Sequence, residues 1–207
     1  MPRRSILLLA GACIVIAAAV GLFTFMMVSR PSNAPAQGEV VSIGEAQIGG
    51  PFELVDQDGR AVDQSILDGK WSLVFFGFTY CPDYCPTTLN GLAATQARLG
   101  DEAKDLQILF VSIDPERDTP AAMKTYLSLD GYPKGVIGLT GTPAQVKTAA
   151  DAYRVIYQKV GDGDDYTMNH STLVYLMGPD GKFRSALQHD LGPDRTAEII
   201  RRTIARG

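Results

Sequence analysis

Phe75-Phe76-Gly77-Phe78-Thr79-Tyr80-Cys81-Pro82-Asp83-Tyr84-Cys85-Pro86-Thr87 is the stretch on which the reading of this 207-residue chain turns. It completes the run Trp71 to Phe78, almost entirely apolar and aromatic, too short for a helix and suited to a strand buried on both faces. From Pro86, apolar residues at Leu89, Leu92 and Ala93 keep helical spacing until Gly100 stops them. A buried strand therefore delivers two cysteines, four apart, to a loop and the first turn of a helix. That position lies outside the carboxyl end of a strand, where α/β sheets place ligands. A helix N-terminus also favours the thiolate, the form that attacks disulfides and binds metals.

The flanking sequence repeats the alternation. Phe52 to Val62 reads as a hairpin around Asp58-Gly59, and Leu106 to Ile113 as a second buried strand. Asp118-Thr119-Pro120 offers a cap and a first-turn proline for a helix ending near Gly131, and Thr142-Pro143 does the same for a helix to about Tyr153. Strands follow at Val155 to Val160 and Thr172 to Met177. Pro179-Asp180-Gly181 turns the chain into a last strand, Phe183 to Leu187, before a helix from about Pro193 to Ala205. The pattern predicts an α/β domain with a mostly parallel central sheet flanked by helices and an antiparallel closing edge.

Side chains four apart on a helix share a face, with Cβ atoms roughly 5–6 Å apart, so Cys81 and Cys85 can ligate one metal or close a disulfide. A disulfide there would close a very short loop and stabilise little. The C-x-x-x-C spacing differs from the C-x-x-C of thioredoxin-type redox motifs, and no register fits the P-x-x-x-T/S-x-x-C of peroxiredoxins. The second signal is Met168-Asn169-His170-Ser171-Thr172, read as a loop before an apolar strand. On a thioredoxin-like fold this loop faces the cysteine loop and carries a cis-proline, whose place Ser171 takes. His170, one of two histidines in the chain, would then face the sulfurs. Two thiolates with one imidazole suit copper: soft sulfur selects Cu(I), and imidazole also accepts Cu(II). Met168 reads as packing, His189 as solvated surface and Asp114 to Pro120 as a loop-to-helix cap. Gly161 to Asp165 lacks the Gly and Glu of an EF-hand and reads as a hairpin tip.

The N-terminal part is different in kind. Ile6 to Val28 carries no charge over 23 residues, a helix of roughly 34 Å against a hydrocarbon core of about 30 Å. Arg3 and Arg4 before the run outnumber Arg30 after it, which places the N-terminus in the cytoplasm. The run is longer than the apolar core of a cleaved signal peptide, Ala34-Pro35-Ala36 notwithstanding, and Cys13 reads as a small apolar residue within it. The expected plan is a cytoplasmic N-terminus and transmembrane anchor at 1–29, a linker at 30–40 and a copper-binding domain at 41–207. All 23 acidic residues fall after residue 38, against 16 basic ones, for a net charge of −7. Nucleic acid is thereby excluded as a partner class.

Cys81-Pro82-Asp83-Tyr84-Cys85-Pro86, Asp114-Pro115-Glu116-Arg117-Asp118-Thr119-Pro120 and the segment ending in His170 together resemble the Sco/SenC family, thioredoxin-fold proteins implicated in building the binuclear copper centre of cytochrome c oxidase. The resemblance covers about residues 45–207. It implies that Cys81, Cys85 and His170 ligate one copper ion, as Cu(I), Cu(II) or both. It implies a metallochaperone that delivers copper to cytochrome c oxidase subunit II, with no catalytic residue required. Periplasmic copper donors or thiol reductases would be further partners. The implied location is the inner (cytoplasmic) membrane, single-pass, with the C-terminal domain in the periplasm. Two alternatives accompany it: a thiol–disulfide oxidoreductase using Cys81 and Cys85 to keep the oxidase's copper-binding cysteines reduced, or a copper or redox sensor. Asn169 departs from the family, which often has Asp before the histidine.

Overall fold

The computed structural model describes residues 39–40 and 47–206. The chain divides into two units, 1–36 and 37–207, and only the second is described. The expected anchor lies outside the described residues, among which no helix is long and apolar enough to cross a membrane.

In chain order the strands are β1 (Glu39–Val40), β2 (Glu53–Asp56), β3 (Ala61–Asp63), β4 (Trp71–Gly77), β5 (Leu106–Ser112), β6 (Ile137–Thr140), β7 (Tyr157–Val160), β8 (Thr167–His170), β9 (Leu173–Met177) and β10 (Phe183–Gln188). The helices are α1 (Tyr84–Leu99), α2 (Pro120–Leu127), α3 (Pro143–Ala152) and α4 (Pro193–Ile204). Eight strands form one sheet in the order β1-β10-β9-β4-β5-β6-β2-β3, and β7 and β8 form a separate pair. α1 packs against α4, α2 against β6 and α3 against β2. This is the α/β class that the alternating pattern predicts, in the thioredoxin-like arrangement that the resemblance implies.

β4 lies mid-sheet, parallel to β5 and antiparallel to β9, and every residue from Ser72 to Gly77 is buried. Its one polar side chain, Ser72, accepts from Gln107 Nε2 at 2.8 Å, which satisfies a hydroxyl that would otherwise cost about 1–3 kcal/mol to bury unpaired. α1 ends at Gly100, whose φ of 59° is the left-handed conformation glycine adopts without strain. α3 opens on a full capping box, with Thr142 and Gln145 bonding each other's backbone N–H.

Four details differ from the sequence reading. The sheet is parallel only at β4-β5-β6; both flanks are antiparallel, not one edge. The helix capped by Thr119 ends at Leu127, short of Gly131. Glu39–Val40, at the end of the expected linker, pair with β10. Thr167–His170, read as loop, is a strand pairing with β7, Tyr157 opposite His170. The Gly161 to Asp165 segment joins these two strands, as a hairpin tip should.

Candidate metal centre

The three residues singled out by the sequence converge. Cys81 follows β4 in a turn whose backbone N–H donates to Phe78 O at 3.2 Å. Cys85 is the second residue of α1, so the helix begins two residues earlier than its periodicity indicates. The Cys85 backbone N–H donates to Cys81 Sγ at 3.3 Å, using an orphan amide of the first turn to hold sulfur. His170 ends β8 and brings Nε2 to 3.7 Å from Cys85 Sγ. The two sulfurs and an imidazole nitrogen all lie within 4.8 Å of one another. Both thiols are free.

The close approach of helix to strand depends on Gly77. A Cβ there would stand 2.7 Å from Cys85 Sγ and 2.8 Å from the Phe110 ring. Around the imidazole, Phe78 meets it edge-on with centroids 5.9 Å apart, and Phe75 lies at 6.4 Å. Cys85 is fully buried and Cys81 is 9 % exposed. The neighbours of Cys81, Tyr80 and Tyr84, are among the most exposed large apolar side chains, at 65 % and 52 %. Of the three side chains only His170 is partly exposed, so the centre is sealed on the Cys85 side and meets solvent along the edge formed by Cys81 and His170.

Protonation follows from this asymmetry. The Cys85 thiol donates to Cys81 and, with the Cys85 backbone N–H, holds Cys81 well below the ordinary thiol range, to about 4. The same bond, burial and the Cys81 charge push Cys85 far up. At neutral pH the pair carries one thiolate and one thiol. His170 Nδ1 lies 2.8 Å from Ser171 O. A carbonyl only accepts, so Nδ1 is the donor to it, and Nε2 is the nitrogen that faces the sulfurs. The backbone thereby supplies the orienting bond, and Asn169 points outward, exposed.

The donor set fits a first-row metal. Bonds of about 2.3 Å to sulfur and 2.0 Å to nitrogen, as in zinc sites, put the two donors about 3.7 Å apart at trigonal angles, which matches the Cys85–His170 spacing. Two thiolates and an imidazole, with no fourth His, Cys, Asp or Glu joining the cluster among the described residues, favour Cu(I) over a closed structural zinc site.

Other residues resolve as follows. Met168 is buried. His189 is half-buried and meets the Tyr84 ring edge-on at 5.1 Å, so it is less solvated than its sequence suggests. Thr119 caps α2. Asp118, its equally cap-capable neighbour, turns inward and accepts from Thr79 N at 3.2 Å, Thr79 Oγ1 at 2.6 Å and Ser112 Oγ at 2.6 Å. Burial raises its pKa. Asp118 thus anchors the turn that presents Cys81, a role hidden in the sequence because the cap signal accounts for the motif by itself.

A thioredoxin-like domain with an open dithiol–imidazole cluster at the end of its central strand defines a class of metal-binding thiol proteins. Comparison narrows the class. The family model SCO1/SenC matches residues 41–205. The SCO2-like protein of Rickettsia conorii is 39% identical over 186 residues, covering 88% of this chain and 90% of its own. The structure of Bradyrhizobium japonicum ScoI with copper bound is 44% identical with a TM-score of 0.69, covering 75% of this chain and 99% of that one. A second structure is that of BsSco, described as a member of the Sco family of cytochrome c oxidase assembly proteins and as having a disulfide switch. It is 28% identical with a TM-score of 0.62, covering 77% of this chain and 94% of that one. The chain belongs to the SCO1/SenC family.

Proposed function

We propose that this protein is a copper metallochaperone. It takes up one copper ion on Cys81, Cys85 and His170 and passes it to the binuclear copper centre of cytochrome c oxidase subunit II. The observation that carries this reading is the convergence of two free thiols and an imidazole nitrogen within 4.8 Å, in a family where relatives of similar sequence hold copper. The ion is cargo. A three-donor centre, open beside Cys81 and rimmed by exposed Tyr80 and Tyr84, leaves room for an incoming thiolate of the acceptor to displace one ligand at a time. Fewer ligands also mean a smaller barrier to release than in a closed four-ligand cage. The apolar run Ile6–Val28 with its flanking arginines supports a single-pass anchor in the cytoplasmic membrane and a periplasmic domain.

The test is a Cu(I) competition titration on the reduced protein, with single Cys81→Ser, Cys85→Ser and His170→Ala variants. One copper per chain is expected, lost on removing either sulfur. Two tight copper ions per chain, or zinc held in preference to Cu(I), would overturn the reading. Topology is tested by a reporter fused after Val40, active only outside the cytoplasm.

A second reading, reduction of the acceptor's disulfide, is favoured by one observation. Two free thiols lie side by side, and the Cys85 thiol bonded to Cys81 lowers the Cys81 pKa, the arrangement of a dithiol reductant. In that step the Cys81 thiolate would attack an acceptor sulfur, and Cys85 would resolve the mixed disulfide. The protein would leave as the Cys81–Cys85 disulfide and the acceptor as two thiols. His170→Ala separates the two, since a reductase keeps its activity and a chaperone does not.

A further inference from the structure

His170 sits at the end of a hairpin that the main sheet does not hold. Among the described residues β7 and β8 pair only with each other, and an isolated two-stranded ribbon is marginally stable. Near the base, Ser171 N donates to Ile156 O at 2.9 Å and Ile156 N to Ser171 Oγ at 3.2 Å. Met168 of β8 is buried in the core and Tyr157 of β7 packs against it, and the loop after β5 adds a polar grip on Tyr166, the residue before β8. The Tyr166 hydroxyl donates to Asp114 Oδ1 at 2.6 Å, and its carbonyl accepts from Arg117 Nη1 at 2.9 Å. Its ring lies between two cations, with the Arg117 guanidinium 3.6 Å and Lys159 Nζ 3.7 Å from the centroid. Arg117 Nε is paired with Asp114 at 2.5 Å, with both side chains largely buried.

The grip also reaches the other half of the centre. The Arg117 guanidinium lies 4.6 Å from the ring centroid of Tyr80, the residue before Cys81. Asp118, one residue further on, holds Thr79. One short loop therefore clamps the turn that presents Cys81 and the hairpin that presents His170, two segments about ninety residues apart in the chain.

We propose that Asp114, Arg117 and Tyr166 form a positioning clasp that sets the reach of His170 towards the two sulfurs, and so governs how firmly the imidazole acts as third ligand. The inference rests on the copper reading above. Ligand-orienting partners of this kind typically change metal affinity 10–100-fold when removed. Cut at Tyr166, the clasp lets go of the hairpin that carries the nitrogen donor, so the cut bears on Cu(II), which prefers the nitrogen-containing site, more than on Cu(I), which two thiolates can hold.

The experiment uses the full chain and two gentle cuts of the clasp: Tyr166→Phe, which keeps the ring between its cations and deletes the hydroxyl, and Asp114→Asn. Each is combined with His170→Ala in a double-mutant cycle. Cu(II) affinity and the thiolate-to-Cu(II) charge-transfer band are followed, together with Cu(I) affinity and the imidazole NMR signals of the metal-free protein. The expected result is about a tenfold loss of Cu(II) affinity and a shifted band. Cu(I) affinity stays within about twofold, the His170 ring signals are displaced, and no further loss follows once His170 is Ala. Equal losses with and without His170 would show a merely structural role and overturn the clasp, as would unchanged Cu(II) binding and unchanged ring signals. If the parent chain takes up no copper, the chaperone reading fails, and the ring signals still decide whether the clasp sets the imidazole.

Discussion

At Gly77 a single methyl group would stand 2.7 Å from the Cys85 sulfur and 2.8 Å from the Phe110 ring, with β4 hydrogen-bonded on both sides. The backbone cannot retreat, so the sulfur or the ring must move. Overpacking of this kind typically costs about 1–3 kcal/mol. Gly77→Ala is therefore expected to lower Tm by several degrees and to weaken copper capture out of proportion to stability, which paired melting and titration would show. Protonation gives a second prediction at this scale. Cys81 is already ionised well above its value near 4, while Cys85 keeps its proton. Copper capture should release close to one proton from the pair near pH 7, not two. Affinity for Cu(I) should then rise about tenfold per pH unit between pH 7 and 8.5. Calorimetry in buffers of different ionisation enthalpy counts the protons, and a count of two would refute the shared-proton pair. For the folded apo protein, Cys81's lowered value means the thiolate's contribution to stability is lost as pH falls towards 4.

Elements show where sequence is informative and where it is silent. β4, β5 and the start of α1 are legible because long apolar runs and helical spacing report burial directly, and the cysteines stand where those two signals meet. β8 is not legible: among Thr167, Met168, Asn169 and His170 only Met168 is apolar and buried, and one residue makes no period. Strand direction is equally hidden, since burial on both faces looks the same in parallel and antiparallel neighbours. That is why one antiparallel edge was expected and two antiparallel flanks are found. Asp118 and Thr119 both suit a helix cap, and only packing shows that Thr119 caps while Asp118 turns to Thr79. Removing that carboxylate tests its role. Asp118→Ala leaves Thr79 N–H, the Thr79 hydroxyl and the Ser112 hydroxyl without this acceptor. A loss of about 1–3 kcal/mol is expected, with faster alkylation of Cys81 as its turn loosens. An unchanged alkylation rate would confine Asp118 to stability.

Across the whole molecule, the ligands come from very different distances along the chain. Cys81 and Cys85 are neighbours wherever the chain goes, folded or not, whereas His170 reaches them only after the sheet and the hairpin have assembled. Copper is therefore not a ligand of the native state alone. The unfolded chain keeps a serviceable two-sulfur site, and binding to it cancels part of the stabilisation that native affinity would confer. The thermal gain from copper should reflect only the ratio of native to unfolded affinities, which is mostly the contribution of one imidazole. His170→Ala should then bind copper with little rise in Tm, while the parent chain shows a rise that is larger with Cu(II) than with Cu(I). The eighty-five positions that separate the second cysteine from the histidine make the third ligand a report on folding. A nascent chain can hold the metal early, but only the finished domain holds it with all three donors.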